Sequence, residues 1–240
     1  MPGRFDAILF DLYDTLCHLD EGSYREGKRR CAIALGLDPE RYFEAWIALQ
    51  DRCQRGKIAT LEERIREACA LLGREVDPGT VAEVRRKEEE VLLGCASLHP
   101  DVLPALRRVR SGPGWRLALV SNASSPARPL LQALGLLPFF DSLIFSFEVG
   151  SVKPEPGIYL AACRSLGVPA GRCLFVGDGN GRELEGAMAL GMTAVRIERP
   201  EVMEAFRKSP SRRWHHCVQD LRRVADLARG RHSSGRTSVF

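Results

Sequence analysis

Five short apolar runs along the chain lack the alternation of a half-exposed strand, and a turn or helix-start signal follows each of them. They cover Asp6 to Phe10, Arg116 to Val120, Ser142 to Phe145, Cys173 to Val176 and Thr193 to Ile197, and each reads as a buried parallel strand. Between them apolar positions return at helical spacing over Leu103 to Val109, Pro129 to Leu134, Ile158 to Leu166 and Arg182 to Leu190. Glycine, or a Pro/Gly neighbourhood, closes each of these helical stretches. Strand and helix in alternation predict an α/β fold whose parallel sheet carries helices on both faces.

From about Leu19 to Ser97 that rhythm stops, and several helix starts follow one another with no convincing strand. Asp38 before Pro39 reads as an N-cap with proline at the first helical position, and Thr60 with Glu63 and Thr80 with Glu83 both fit a capping box. Phe43, Ile47, Leu61, Ile65, Ala68 and Leu72 keep helical spacing, as the core of a small bundle would. The expected organisation is therefore a discontinuous Rossmann-like α/β core over residues 1–18 and 98–228, an all-helical cap over 19–97, and a disordered tail over 229–240.

Composition narrows the setting more than the chemistry. The 240 residues carry a formal charge of only +4, with the basic residues spread out except for Arg222, Arg223, Arg229, Arg231 and Arg236 near the end. That cluster reads as a solvated helix face and a loose end, so no nucleic-acid partner is expected. Eight cysteines occur without a Cys-x-x-Cys pair or a zinc spacing, which fits a reducing cytoplasmic setting. The adjacent His215 and His216 would point different ways on a helix or a strand, so they read as exposed polar residues near a helix start and not as a metal pair. No apolar run approaches the roughly 18 residues of a membrane span.

In parallel α/β sheets, ligands gather outside the carboxyl ends of the strands, so the residues just after each run carry the chemical information. The first run ends in Asp11-Leu-Tyr-Asp-Thr15, the second in Ser121-Asn122 and the fourth in Gly177-Asp178, with Glu183 five residues further on. Lys153 follows the third. Two facing carboxylates cannot both stay ionised without a compensating cation, and an oxygen-rich, water-accessible site suits magnesium. Such a metal and Lys153 would together neutralise a small anionic substrate, Ser121 and backbone N–H groups would hold its oxygens, and Asp11 would attack as a covalent nucleophile.

With those residues in place the chain resembles the haloacid dehalogenase-like (HAD) superfamily of hydrolases. Four motifs occur in order: Phe-Asp-Leu-Tyr-Asp-Thr-Leu from Phe10 to Leu16, Val-Ser-Asn at Val120 to Asn122, Lys-Pro-x-Pro-x-Ile-Tyr from Lys153 to Tyr159, and Val-Gly-Asp with Glu-Leu-x-Gly-Ala from Val176 to Ala187. The resemblance implies Asp11 as nucleophile, Thr15 as its hydrogen-bond support, Ser121 with Asn122 at the substrate, and Lys153 as charge stabiliser. It also implies a Mg2+ site formed by Asp11, the backbone carbonyl of Tyr13, Asp178 and Glu183. The helical stretch matches the family's cap, placed between the first two motifs.

One position departs from the pattern. Family phosphatases carry a second aspartate two residues after the nucleophile, which protonates the leaving alkoxide, and this chain has Tyr13 there. A phenol with a reference pKa of about 10 is a poor base at neutral pH. Asp14 is next door, but in an extended segment it would point to the opposite side. A tyrosine at this place resembles the 2-haloacid dehalogenase branch, whose halide leaves unprotonated. Those dehalogenases resemble Ser-Ser-Asn at the fourth motif and work without metal, whereas Gly177-Asp178 and Glu183 are retained here. The expected activity is thus a magnesium-dependent phosphatase acting on a small phosphorylated metabolite through an aspartyl-phosphate. Dehalogenation is the alternative, and a catalytically weakened binding or regulatory member is the third reading. Arg41, Arg52, Arg55 and Lys57 of the helical stretch are assigned to a solvated face in preference to the substrate's distal end.

Overall fold

The computed structural model describes residues 4–200, 202 and 204–230. A six-stranded parallel sheet forms its centre, in the order β5-β4-β1-β6-β7-β8. The strands are β1 (Ala7–Phe10), β4 (Arg116–Ser121), β5 (Ser142–Phe145), β6 (Cys173–Gly177), β7 (Thr193–Ile197) and β8 (His216–Val218). Side chains alternate across β1, so Ile8 and Phe10 enter one apolar layer and Ala7 and Leu9 the other. The first layer is closed by α6 (Val102–Arg110), α7 (Ala127–Ala133) and α11 (Val224–Ala228), the second by α9 (Pro156–Leu166) and α10 (Glu183–Ala189). A short α8 (Ser146–Val149) follows β5. Both faces of the sheet are covered, which is why its strands read as unbroken apolar runs.

The sequence falls one strand short. Its five runs match five strands, but β8 is only three residues long and half-buried, too short and too polar to give a run. His216 belongs to that strand, and His215 Nδ1 accepts a 3.0 Å hydrogen bond from the Ala194 amide. The expectation of two exposed histidines at a helix start is therefore corrected: they sit at the sheet edge. The expected tail disorder falls, from residue 231 on, outside the described residues.

Between Leu19 and Ala96 lie five helices, α1 (Glu21–Ala34), α2 (Pro39–Ala48), α3 (Gln50–Gln54), α4 (Leu61–Leu71) and α5 (Pro78–Cys95). They enclose their own apolar cluster, including Leu35, Tyr42, Leu49, Ile65 and Val84. Asp38 caps α2 ahead of Pro39, and Thr60 with Glu63 forms both halves of a capping box on α4. The box read at Thr80 and Glu83 is absent: α5 starts three residues earlier, where Asp77 accepts from the Gly79 and Thr80 amides and from the Thr80 hydroxyl. Asp77 precedes Pro78 as Asp38 precedes Pro39, and loss of such a cap costs about 1 kcal/mol. Two further strands escaped the sequence reading. β2 (Cys17–Leu19) and β3 (Ala96–Leu98) pair antiparallel, Cys17 opposite Leu98 and Leu19 opposite Ala96, and carry the chain into and out of the helices.

His99 follows β3 and is half-buried beside Arg199, Asp101 and His18. Burial, reinforced by the Arg199 charge, pushes its imidazole down to about 4. The unfolded chain protonates His99 near its reference value of about 6.5, so the stability contributed by the neutral ring is complete above that pH and is lost as pH falls toward 4. Melting temperature should therefore drop between pH 6.5 and 4.5 more steeply in wild type than in His99→Gln. The difference is on the order of 1 kcal/mol after allowance for partial exposure, and parallel curves would refute the assignment.

Candidate active site

In the sheet order β1 stands between β4 and β6, so the carboxyl ends of these three strands open onto one crevice. Asp11 sits at the tip of β1, its amide donating to Val176 O at 2.9 Å and so extending the ladder to β6. Its carboxylate is buried; Oδ2 accepts from the Thr15 hydroxyl at 3.1 Å, and Oδ1 meets the Lys153 ammonium. Lys153 also reaches Glu183 Oε2 at 2.5 Å, so one amine bridges two acids 172 positions apart on the chain's two sides of it.

Lys153 is held in that place by Asn122. The Asn122 side chain accepts from the Lys153 amide at 2.7 Å and donates to its carbonyl at 3.0 Å. The sequence reading put Asn122 at the substrate; it lines the cavity, but its amide group is committed to the Lys153 backbone. Ser121 ends β4 fully buried, and its Oγ has no hydrogen-bond partner among the described residues.

Glu183 begins α10, and its Oε1 accepts from the Gly179 amide at 3.0 Å, while Tyr159 donates to its backbone carbonyl at 2.7 Å. Glycine at 177 leaves room for the Glu183 carboxylate, which a Cβ there would displace. The turn that brings α10 back over β6 uses left-handed backbone at Gly179 (φ +90°) and Gly181 (φ +61°), where an L side chain is strained. Asp178 accepts from the Asn180 amide at 3.1 Å through Oδ1 and from Arg207 at 2.5 Å through Oδ2.

The result is a buried acidic cluster. Asp11, Asp178 and Glu183 each offer a carboxylate oxygen, and these oxygens lie within 4.8 Å of one another. Burial, reinforced by Asp178 and opposed by Lys153, holds the Asp11 carboxyl above its ordinary range. Burial followed by the Asp11 charge does the same, more strongly, to Glu183. Burial opposes the charge on Lys153, yet its two carboxylate partners prevail and hold the ammonium above the usual lysine range. Acids crowded in this way are short of positive charge, and their oxygen-only donor set fits a hard divalent cation such as Mg2+.

Asp14 and Arg207 also reach the cluster at the strand tips. An extended segment after Asp11 would turn Asp14 away from the site. The backbone instead turns, with the Leu16 and Cys17 amides both donating to Leu12 O and Asp14 in the left-handed region at φ 56°. The alternation rule does not hold in a turn, and the Asp14 carboxylate lines the cavity, 3.6 Å from His18 Nδ1 and 3.8 Å from Arg207 Nη1. Arg207 lies in an irregular stretch between β7 and β8, with no periodicity to mark it. Tyr13 faces the same cavity, and burial, then the neighbouring Cys17, raises its phenol further above the ordinary value.

The five helices roof this crevice, leaving a cavity of about 160 Å³. None of Arg41, Arg52, Arg55 and Lys57 lines it. Arg41, Arg52 and Lys57 are exposed, whereas Arg55 pairs with Glu155 of the Lys153 loop at 2.8 Å and so ties roof to sheet. The charged residues on the roof's inner face are Lys28, Arg64 and Glu88. Each interrupts an apolar helical stripe: Tyr24-Lys28-Cys31, Leu61-Arg64-Ile65-Ala68 and Val81-Val84-Glu88. That interruption was the available signal.

The open parallel sheet thus carries its acid cluster at the carboxyl ends of the strands. The family model of the haloacid dehalogenase-like hydrolases matches residues 5–191, and the chain belongs to that family. Among curated proteins it is similar to the glyceraldehyde 3-phosphate phosphatase of Methanopyrus kandleri, 29% identical over 80% of this chain and 84% of that protein. It is also similar to the (S)-2-haloacid dehalogenase of Pseudomonas sp. strain YL, 30% identical over 92% and 93%. Among solved structures, a HAD phosphatase from Thermococcus onnurineus superposes with a TM-score of 0.61 at 25% identity, covering 93% of this chain and 97% of that one. No helix among the described residues is long and apolar enough to cross a membrane.

Proposed function

We propose that this hydrolase is a Mg2+-dependent phosphatase of small phosphorylated metabolites, with Asp11 as the nucleophile. The observation that carries the reading is the carboxylate triplet of Asp11, Asp178 and Glu183 around a shared point, with Lys153 between two of them. Two acids beside the nucleophile would repel the carboxylate of a haloacid unless a cation is bound, whereas a divalent ion held by all three suits a phosphoryl group. When bound, the metal would neutralise phosphate oxygens and lower the barrier to attack on phosphorus.

The chain's own residues supply the rest. Thr15 and Lys153 hold the two oxygens of Asp11 and orient the carboxylate toward the cavity. Attack forms an Asp11–phosphorus bond as the bond from phosphorus to the leaving oxygen breaks, and water then cleaves the acyl phosphate to return Asp11. In this reading Lys153 neutralises the phosphoryl oxygens, and the buried Ser121 hydroxyl, without a hydrogen-bond partner among the described residues, binds one of them. The helices over the crevice serve as a cap that excludes water, with Arg55–Glu155 as its latch. Eight free thiols favour a reducing, cytoplasmic setting.

Tyr13 and the likeness to a dehalogenase keep carbon–halogen hydrolysis as the second reading. A panel of phosphate esters and 2-haloacids, each with and without magnesium, separates the two. Phosphate release that requires magnesium, with no halide release, is the expected result; metal-independent halide release would replace the phosphatase reading with the other.

A further inference from the structure

From the inner face of the cap we infer that the substrate carries a second anionic group at the end remote from the phosphoryl group, and that Arg64 binds it. The inference rests on the phosphatase reading and adds a substrate class to it.

The two cations of the cap's inner face are partnered differently. Lys28 is buried and forms an ion pair with Glu88, which Tyr42 also engages through its hydroxyl at 3.0 Å. That charge is balanced within the protein. Arg64 is also buried, at 5% exposure, yet among the described residues no carboxylate forms an ion pair with it. Its Nη2 donates to the Trp46 carbonyl at 2.6 Å and to Gln50 Oε1 at 2.7 Å, its guanidinium lies 3.9 Å from the centre of the Trp46 ring, and its Nε is buried with no partner. All of these contacts are neutral. A full positive charge withdrawn from water and left without a counter-ion is costly, and a purely structural bond to a carbonyl and an amide needs no charge. A residue that lines a ligand cavity in this state is matched by an anion that arrives with the ligand.

Helix α3 sets the distance. At its core end Gln54 donates to the backbone carbonyl of Asn122 at 3.2 Å, beside the Lys153 clamp; at its other end Gln50 holds Arg64. Four residues of helix separate the two, a rise of about 6 Å. Arg64, Asp11 and Lys153 line one cavity of about 160 Å³, so the second anion belongs to a small molecule that carries it a few carbons from the phosphorus. A carboxylate and a second phosphate share the required chemistry, a planar or tripodal oxyanion that accepts from guanidinium N–H groups.

Calorimetric titration with phosphonates, which bind without being hydrolysed, tests this in the intact protein with magnesium present. Phosphonopropanoate and propylene bisphosphonate should bind at least about tenfold more tightly than propylphosphonate, the range that a hydrogen bond to a charged group supplies. The better of the two identifies the distal group. In Arg64→Met the ratio should fall to within about threefold, and in Arg64→Lys it should be intermediate. Because the readout is a ratio between ligands on one protein, a general loss of affinity does not imitate it. Should Arg64→Met fail to fold, Arg64→Gln, which can still donate to the Trp46 carbonyl, serves in its place. Equal wild-type affinities, or a preference that survives loss of the guanidinium, would overturn the inference and leave the phosphatase reading standing if an aryl phosphate is still hydrolysed. Absence of both phosphonate binding and phosphate release would remove the two together.

Discussion

Asp11→Asn should reduce phosphate release by at least about a thousandfold while leaving the protein folded. The carboxamide is nearly the size of the carboxylate; its oxygen can still accept from Lys153 while its NH2 turns to donate to the Thr15 hydroxyl, so the packing around β1 survives. What it lacks is a charge with which to attack phosphorus. Removing that charge also relieves Glu183, whose carboxyl is held up by burial and then by Asp11. Steady-state rates, intact-protein mass after mixing with substrate, and melting temperature are the three measurements. A variant that keeps more than a few per cent of wild-type turnover, or that still acquires a phosphoryl group, would exclude Asp11 as the nucleophile.

Tyr13→Asp should have the second largest effect, and in the direction of gain. A phenol raised by burial above its ordinary pKa neither accepts nor donates a proton readily near neutrality, so wild type should hydrolyse aryl or acyl phosphates much faster than alkyl phosphates. An aspartate at the same place could protonate a leaving alkoxide, and the alkyl ester rate should rise about a hundredfold while the aryl rate changes little. Equal wild-type rates on the two esters would show that leaving-group protonation is already provided for. Asp14, turned into the cavity at the next position, would then be the first residue to replace with Asn.

The parts of the fold that the sequence disclosed are those whose physics is local. Strands covered on both faces must be apolar throughout, so five of the six announced themselves, and Asp38-Pro39 and Thr60-Glu63 mark helix starts by contacts a few residues long. β8 and the ribbon of β2 and β3 are three-residue strands whose existence depends on partners far away in sequence, as between Cys17 and Leu98. No window along the chain contains that information. The acidic cluster was legible because each member follows a strand end. Asn122 was assigned to the substrate because its proximity to Ser121 is visible in the sequence, whereas its grip on Lys153 is a tertiary fact. Asp14 was missed through a wrong assumption about backbone, since a non-glycine residue at φ 56° is uncommon. Arg64 shows in the sequence only as a charge on an apolar stripe; that no acid among the described residues pairs with it is a tertiary fact.

The paired strands β2 and β3 also set how the upper half of the molecule is joined to the lower. Asp20 donates its amide to Cys95 O at 2.9 Å, so the departure and return points of a 74-residue excursion touch. The short gap between these points is closed by the β2–β3 ribbon itself, while Arg55–Glu155 and Gln54–Asn122 are the further ties that this particular bundle makes to the core. If the proposed roles hold, chemistry and selectivity are lodged in different stretches of one polypeptide, the first at the strand tips and the second in the helices between Asp20 and Cys95.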